Sequence, residues 1–210
     1  MSSVRHPIFA RFLDRLSERG ERVGQAEHRQ ELLTGLGGRV VELGAGNGIN
    51  FSHYPPTVTE LVAVEPEPYL RKHASVAAAD APVPVKVMDG LGGELPFEEA
   101  EFDAGVTSLV LCSVADPVAV LVDLLRVIRP GGELRFYEHV RAETPELMRF
   151  QGLVSRVWPF FGGGCHPDRD TGSAIERAGW EVESCRRFSF KPCVICAPVA
   201  PHILGVARRP

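Results

Sequence analysis

Residues 40–55, VVELGAGNGINFSHYP, pass from an apolar, β-branched run into three glycines at alternate positions, Gly44, Gly46 and Gly48, and then into an aromatic segment. An open α/β sheet binds its ligand where a strand ends in such a loop before a helix, because a backbone without Cβ atoms can be approached closely. The competing reading is a tight strand-to-helix turn with no ligand. A dinucleotide fingerprint would need G-x-G-x-x-G, and the position of its third glycine holds Ile49. The spacing is G-x-G-x-G, with Glu42 ahead of it inside the strand. That favours a nucleotide-like ligand and counts against an NAD-dependent oxidoreductase.

Working outward, apolar runs of strand length recur at residues 39–43, 61–65, 83–88, 102–108 and 133–138. Helical segments separate several of them, most plainly Pro117 to Ile128, closed by Arg129-Pro130-Gly131-Gly132. Such alternation means right-handed βαβ crossovers and a parallel sheet buried on both faces. Ahead of the first strand, Ile8, Phe9, Phe12, Leu13 and Leu16 fall at helical spacing, and a second helical pattern covers residues 25–36. Beyond residue 165 the pattern changes: 171–178 reads as helix, and 180–190 and 203–207 read as strands that complete the sheet as a hairpin-like pair. An Ala/Pro-rich patch at 74–84 reads as helix end plus loop, and no repeat or linker divides the chain. We expect one domain over 1–210: a helical cap (1–37), a cofactor-binding core (38–140), a candidate substrate lid (141–170), and a C-terminal helix and strand pair (171–210).

Composition excludes more than it assigns. At 210 residues and 44% hydrophobic content the chain can bury a full core. Its 27 acidic and 23 basic residues leave a net charge of -4, too small to argue for a nucleic-acid or membrane-surface partner. Charges interrupt every apolar run of MSSVRHPIFARFLDRL, so this segment reads as neither signal peptide nor membrane span, and a cytoplasmic location is expected. Five widely spread cysteines are expected to be reduced. Cys193-x-x-Cys196 has no second pair at ligand spacing and lies between Pro192 and Pro198, so it reads as loop, and no metal is expected.

The run ELGAGNG, residues 42–48, resembles the first motif of the class I S-adenosylmethionine-dependent methyltransferases. FDAGVTSLVLCSV (102–114) resembles the same superfamily's fourth-strand motif, and RVIRPGGEL (126–134) resembles its turn into strand five. The resemblance implies a Rossmann-like, seven-stranded, mostly parallel sheet with helices on both faces. It also implies S-adenosyl-L-methionine as cofactor and S-adenosyl-L-homocysteine as product. The implied cofactor contacts are Glu42, Gly44, Gly46, Asn47, Gly48 and Asn50 around the loop, Glu65 and Pro66 after strand two, and Thr107, Ser108 and Leu109 after strand four. Glu65, in VAVEPEP, can accept from both ribose hydroxyls; its bland reading is a solvated glutamate at a loop start. For adenine, VMDGLGGELPF (87–97) offers two registers, Asp89 with Gly90 or Leu91 with Gly92, and the second fits the loop better.

NFSHYP (50–55), LVLCSV (109–114), FYEHVRAE (136–143), GGGCHPDRDT (162–171) and APVAPHILGVA (197–207) together resemble the small alkyl-thiol methyltransferases and their bacterial relatives. That implies a small-molecule acceptor, a small apolar thiol, methylated by in-line displacement on the thiolate with water kept out. In the family's animal members a hydrophobic anchor precedes the catalytic domain. No such run occurs here, so no stable membrane insertion is expected. His139 and His166 are the candidate bases, each with a structural alternative, and Cys112 and Cys165 read as core packing. Residues 145–161, ending in Trp158-Pro159-Phe160-Phe161, form either a helix on the sheet edge or a lid that the N-terminal Phe9 and Phe12 close from the other side. A carbon, nitrogen or oxygen acceptor such as a quinone, or non-catalytic cofactor binding, is the alternative function. The sequence carries no signal of oligomeric state.

Overall fold

Seven strands, β1 (Gly38–Leu43), β2 (Val58–Val64), β3 (Val85–Met88), β4 (Phe102–Ser108), β5 (Ile128–His139), β6 (Glu181–Ser189) and β7 (Pro201–Arg208), form one sheet in the order β3-β2-β1-β4-β5-β7-β6. They are seen in a computed structural model that describes residues 17, 19–192 and 194–210. Strands β1 to β5 are parallel, and β7 runs antiparallel between β5 and β6. The expected mostly parallel sheet with a C-terminal strand pair is the observed one. The expected helix around Ile8 to Leu16 lies outside the described residues. Strand β5 begins five residues earlier than its apolar run, because the Arg129–Gly132 turn is absorbed as a register irregularity between the pairs Phe102–Ile128 and Ala104–Glu133.

Helices α1 (Ala26–Leu33), α2 (Pro68–Ala77), α3 (Pro117–Val127), α4 (Pro145–Val154), α5 (Trp158–Phe161) and α6 (Thr171–Arg177) surround the sheet. The alternation of side chains along each strand supplies both layers of core. Val41, Leu43, Val62 and Val64 point to the side packed by Leu121 and Leu124 of α3 and Ile175 of α6. Val40, Leu61, Ala63 and Val106 point to the other side, against Leu32 and Leu33 of α1 and Ala74 of α2. Helix α3 starts where Asp116 accepts from the N–H groups of Val118 and Ala119 at 2.9 and 3.1 Å, with Pro117 at its first position. An unpaired donor at a helix start costs free energy, and this cap removes two of them.

The chain builds outward from β1 through β2 to β3, then returns to place β4 on the other side of β1. The crevice beyond the C-terminal ends of β1 and β4 is therefore the topological switch point, where ligands of such sheets bind. No helix of the described residues is long and apolar enough to cross a membrane.

Candidate active site

The glycine loop leaves β1 at the switch point. The N–H groups of Gly44 and Ala45 donate to the Val64 carbonyl at 2.8 and 3.3 Å, and Gly46 N–H donates to Oε2 of Glu65 at 2.8 Å. Gly46 holds φ +59, and a Cβ built there would meet nothing within 4 Å, so its missing side chain leaves open space in the crevice. At Gly44, φ +62, a Cβ would instead run into Val110 Cγ2 at 2.5 Å, so this glycine lets the β1 and β4 loops touch. Leu109, also in the left-handed region at φ +61, is an uncommon conformation for a branched residue and turns the backbone at the end of β4.

Glu65 is buried; Oε1 accepts from Glu67 N–H at 2.8 Å while Oε2 holds Gly46. Burial raises its pKa to about 7 against the opposing pull of those two N–H groups. Each oxygen retains lone-pair capacity for a ligand hydroxyl. Glu42 lies deeper. Its carboxylate accepts from Asn50 Nδ2 at 2.5 Å and the Tyr54 hydroxyl at 2.9 Å, and Asn50 in turn accepts from Arg29 at 2.6 Å. Arg29 also reaches Glu21 at 2.7 Å and Ser108 Oγ at 3.2 Å. Burial raises the Glu42 pKa to about 7, which the Asn50 and Tyr54 hydrogen bonds and the Arg29 charge offset in part. Glu42 and Asn50, two of the expected cofactor residues, thus brace the loop from below, and Arg29 ties α1 to the loop after β1 and to the end of β4. Asn47 accepts from Ile49 N–H at 3.3 Å, which shapes the loop's far side.

Beyond β3, Arg71 donates to the Glu65 and Pro66 carbonyls at 2.7 and 3.0 Å and to Asp89 Oδ1 at 3.0 Å. The Leu95–Phe97 stretch is fixed to α3: Leu95 N–H donates to Asp123 at 2.7 Å, and Arg126 donates to the Leu95 and Phe97 carbonyls at 2.9 and 2.6 Å. A Cβ on Gly92 would touch Val120 of α3 at 2.9 Å and Leu43, the last residue of β1, at 3.3 Å. Gly92 therefore lies against the end of β1, whereas the Asp89 carboxylate pairs with Arg71.

At the ends of β4 and β5 the site changes character. Glu138, fully buried, accepts from the N–H groups of Val110 and Cys112 at 3.1 and 3.3 Å. Burial raises its pKa to about 7 in spite of these donors. The next residue, His139, turns Nδ1 toward two sulfurs, Cys112 Sγ and Cys165 Sγ, each at 3.5 Å. Both cysteines are buried and free, and His139 is half-buried. The Cys112 thiol is held well up by donating to Cys165 and by burial; the Cys165 thiol is drawn well down by accepting from Cys112, against its own burial, and by the His139 imidazole. Cys165 reaches the cluster because the loop that carries it is pinned to the loop after β4. His166 N–H donates to the Cys112 carbonyl at 2.8 Å, and Arg169 donates to the Leu111 and Val114 carbonyls, both at 2.7 Å. Behind His139, the ring of His202 lies 4.7 Å away and is kept neutral, its pKa pushed to about 2 chiefly by burial, with the neighbouring His139 adding to the fall.

Helix α4 is moored by Gln151, which accepts from Ala142 N–H at 2.7 Å and donates to the Val140 and Pro198 carbonyls at 3.2 and 2.9 Å. The short α5 that follows is loose in packing: Phe160 and Phe161 are 84% and 77% exposed.

A family model described as a methyltransferase domain matches residues 41–136. Thiol S-methyltransferase TMT1B of Homo sapiens is 35% identical over 189 residues, a span of 83% of this chain and 73% of that protein. The chain belongs to the thiol S-methyltransferase family. This methyltransferase is also 32% identical over 179 residues to a demethylmenaquinone methyltransferase of Corynebacterium kroppenstedtii, over 77% of this chain and 76% of that one. A solved S-adenosylmethionine-dependent methyltransferase from Thermotoga maritima superposes with a TM-score of 0.70 at 21% identity, over 97% of this chain and 99% of that chain, and so has the same fold.

The crevice fits the family's cofactor on two observations. The open space over Gly46 is a cradle that any side chain would fill, and Thr107 Oγ1, fully buried at the end of β4, has no hydrogen-bond partner. A buried hydroxyl without a partner calls for one.

Of the expected site residues, Gly46 is hydrogen-bonded to Glu65, Gly44 abuts Val110 in the loop after β4, Gly92 abuts Leu43 at the end of β1, Thr107 and Ser108 end β4 with Leu109 next, His139 ends β5, and His166 N–H holds the Cys112 carbonyl. Sequence reasoning missed Arg29, Glu138 and the convergence of Cys112 and Cys165 on His139. The E-H-V run at residues 138–140 held a signal for Glu138, since a carboxylate in a buried strand needs donors. Cys196, buried in the turn Val194–Val199, is disulfide-bonded, which corrects the expectation that all five thiols are reduced. That expectation came from compartment chemistry, which is blind to local proximity. Cys193 lies outside the described residues.

Proposed function

We propose that this protein transfers a methyl group from S-adenosylmethionine to the sulfur of a small apolar thiol. One juxtaposition carries the reading: a nucleoside-binding crevice at β1 and β2 opens at its β4–β5 end onto a rim of sulfur and imidazole, in a chain a third identical to a thiol S-methyltransferase. When bound, the cofactor supplies a methyl on a sulfonium, an electrophile that needs no covalent help from the protein. Glu65 takes the ribose hydroxyls, with Pro66 beside it. Leu91 and Gly92 border the adenine, a register supported by the anchoring of Leu95 and Phe97 on α3 and by the engagement of Asp89 with Arg71. Gly44, Gly46, Asn47 and Gly48 approach the amino-acid end, Thr107, Ser108 and Leu109 close the crevice from β4, and Glu42 and Asn50 hold the loop in shape.

The acceptor's thiol must lose its proton to react well, since the thiolate is the nucleophile. His139 and His166 stand at the rim where that proton leaves and favour the anionic sulfur. Helices α4 and α5, with their exposed phenyl groups, act as the lid that shuts water from the acceptor. Desolvation of this kind strengthens the attraction between thiolate and sulfonium in the approach to the transition state.

A second reading, methylation of a carbon on a quinone, is favoured by the similarity to the demethylmenaquinone methyltransferase. A screen with isotopically labelled S-adenosylmethionine over thiol, amine, hydroxyl and activated-carbon acceptors, with products read by mass spectrometry, separates the two. Label on sulfur alone is the expected result. Label on carbon with thiols inert would replace the first reading by the second.

A further inference from the structure

We propose that Cys112, His139 and Cys165 form a three-ligand site for a zinc ion whose fourth position takes a thiolate from outside the protein. The ligand set is the first argument. Two thiols and one imidazole, one atom from each, lie within 4.8 Å of one another, buried except for the half-open histidine. Packing alone explains one buried cysteine well, but it gives no reason for two to aim at the same ring nitrogen.

Geometry is the second argument. A tetrahedral zinc with bonds of about 2.3 Å to sulfur and about 2.05 Å to nitrogen requires S···N edges of about 3.6 Å. Both Cys112 Sγ and Cys165 Sγ lie 3.5 Å from His139 Nδ1. Two of the three edges already have the length the ion requires, and all three donor atoms lie within 4.8 Å of one another. Zinc suits thiolate and imidazole donors, and three protein ligands with one open position is the pattern of zinc sites that do chemistry rather than hold a fold.

The surroundings are the third argument. Each ligand is held by a backbone contact that does not use its donor atom. Glu138 accepts from Cys112 N–H, Thr171 Oγ1 donates to the His139 carbonyl at 3.3 Å, and the Cys165 loop is fastened by His166 N–H and Arg169 to the carbonyls around Cys112. Ligands oriented in advance lose less entropy on binding. The loop that carries Cys112 also reaches the glycine loop, where Val110 fills the space beside Gly44, so one of the three ligands stands two residues from a contact with the glycine loop.

The role of the fourth position rests on the thiol-acceptor reading above. A thiol that enters it exchanges with the bound water: its S–H bond breaks, a Zn–S bond forms, and the proton passes to the buffer, because a coordinating thiol is deprotonated outright. His139 then acts through the ion and not as the base itself.

The test uses the whole protein, purified under reductant. Zinc retention is measured by competition with a chromogenic chelator, and cobalt is substituted for its thiolate charge-transfer and ligand-field bands. We expect one zinc per chain. Cys165→Ser and His139→Ala should each weaken binding by more than about 100-fold, since removal of mere outer-shell partners already costs 10–100-fold. A small alkanethiol, 2-mercaptoethanol, should shift the cobalt bands of the wild type. S-adenosylhomocysteine titration of the same preparations shows that the variants are folded and tests the cofactor reading independently of metal. Zinc affinity that is unmeasurable in the wild type, or unchanged by Cys165→Ser and His139→Ala, overturns the site. Cobalt bands that ignore the thiol overturn the assignment of the fourth position.

Discussion

Glu65 makes cofactor binding depend on pH in a direction that can be worked out from its surroundings. In the ligand-free protein its pKa is raised to about 7, chiefly by burial, with the charge of Glu67 adding to the rise and Gly46 N–H, Glu67 N–H and Arg71 opposing it. A carboxylate with a raised pKa holds its proton below that value, and a protonated Glu65 can accept only weakly from two ribose hydroxyls. Binding selects the ionised form, so it should release a proton at pH below about 7, and affinity should rise with pH and then level off. With a free pKa near 7 and full ionisation in the complex, the dissociation constant should be about tenfold higher at pH 6 than on the plateau and about twofold higher at pH 7. Tenfold corresponds to about 1.4 kcal/mol.

Calorimetric titration with S-adenosylhomocysteine at pH 6, 7 and 8, in buffers of different ionisation enthalpy, measures both the affinity and the protons released. Glu65→Gln is the control, because it keeps the shape and cannot ionise. At pH 8 it should bind about 10- to 100-fold more weakly, the worth of a charged hydrogen bond of about 1.5–3 kcal/mol, and its affinity should not change with pH. Glu42, also raised to about 7, stays in place in the variant, so any pH dependence that survives Glu65→Gln belongs elsewhere. A flat wild-type profile from pH 6 to 8, or wild-type affinity in a folded Glu65→Gln protein, would refute the assignment of the ribose contact to this carboxylate.

Gly46→Val should abolish S-adenosylhomocysteine binding by calorimetry while costing the fold only about 1–2 kcal/mol, since the new side chain is strained at φ +59 but meets open space, not protein. Gln151→Leu should lower the melting temperature by about 5–10 °C, because it strips partners from Ala142, Val140 and Pro198 together, and differential scanning calorimetry reads this directly. His166→Ala should slow single-turnover methylation of a high-pKa thiol by about 10²–10⁴-fold, and that of a low-pKa thiol far less, with cofactor affinity unchanged. Equal losses for the two thiols would make His166 a positioning residue.

The sheet was legible in the sequence because every signal for it is local. Alternation along Val40 to Leu43 and Leu61 to Val64 serves two cores at once, and the cap at Asp116-Pro117 and the glycines after β1 stand beside the elements they end or begin. The glycine loop and its Glu65 partner were legible for the same reason, since each directly follows a strand. The thiol cluster could not be read that way. Cys112, His139 and Cys165 are 27 and 26 residues apart, and each alone has a sufficient explanation as packing or as a strand-end histidine. They meet because Glu138 folds the β4 loop back over β5, and because Arg169 and His166 N–H draw the glycine-rich loop onto the carbonyls of Leu111, Cys112 and Val114. A substitution at Arg169 should therefore disturb the reacting end of the crevice while leaving the cofactor end intact. The two ends share a loop, yet different hydrogen bonds hold them. Arg169→Met is expected to keep S-adenosylhomocysteine affinity and to lose methyl transfer. Parallel loss of both would mean that the glycine-rich loop supports the whole crevice and not its acceptor end alone.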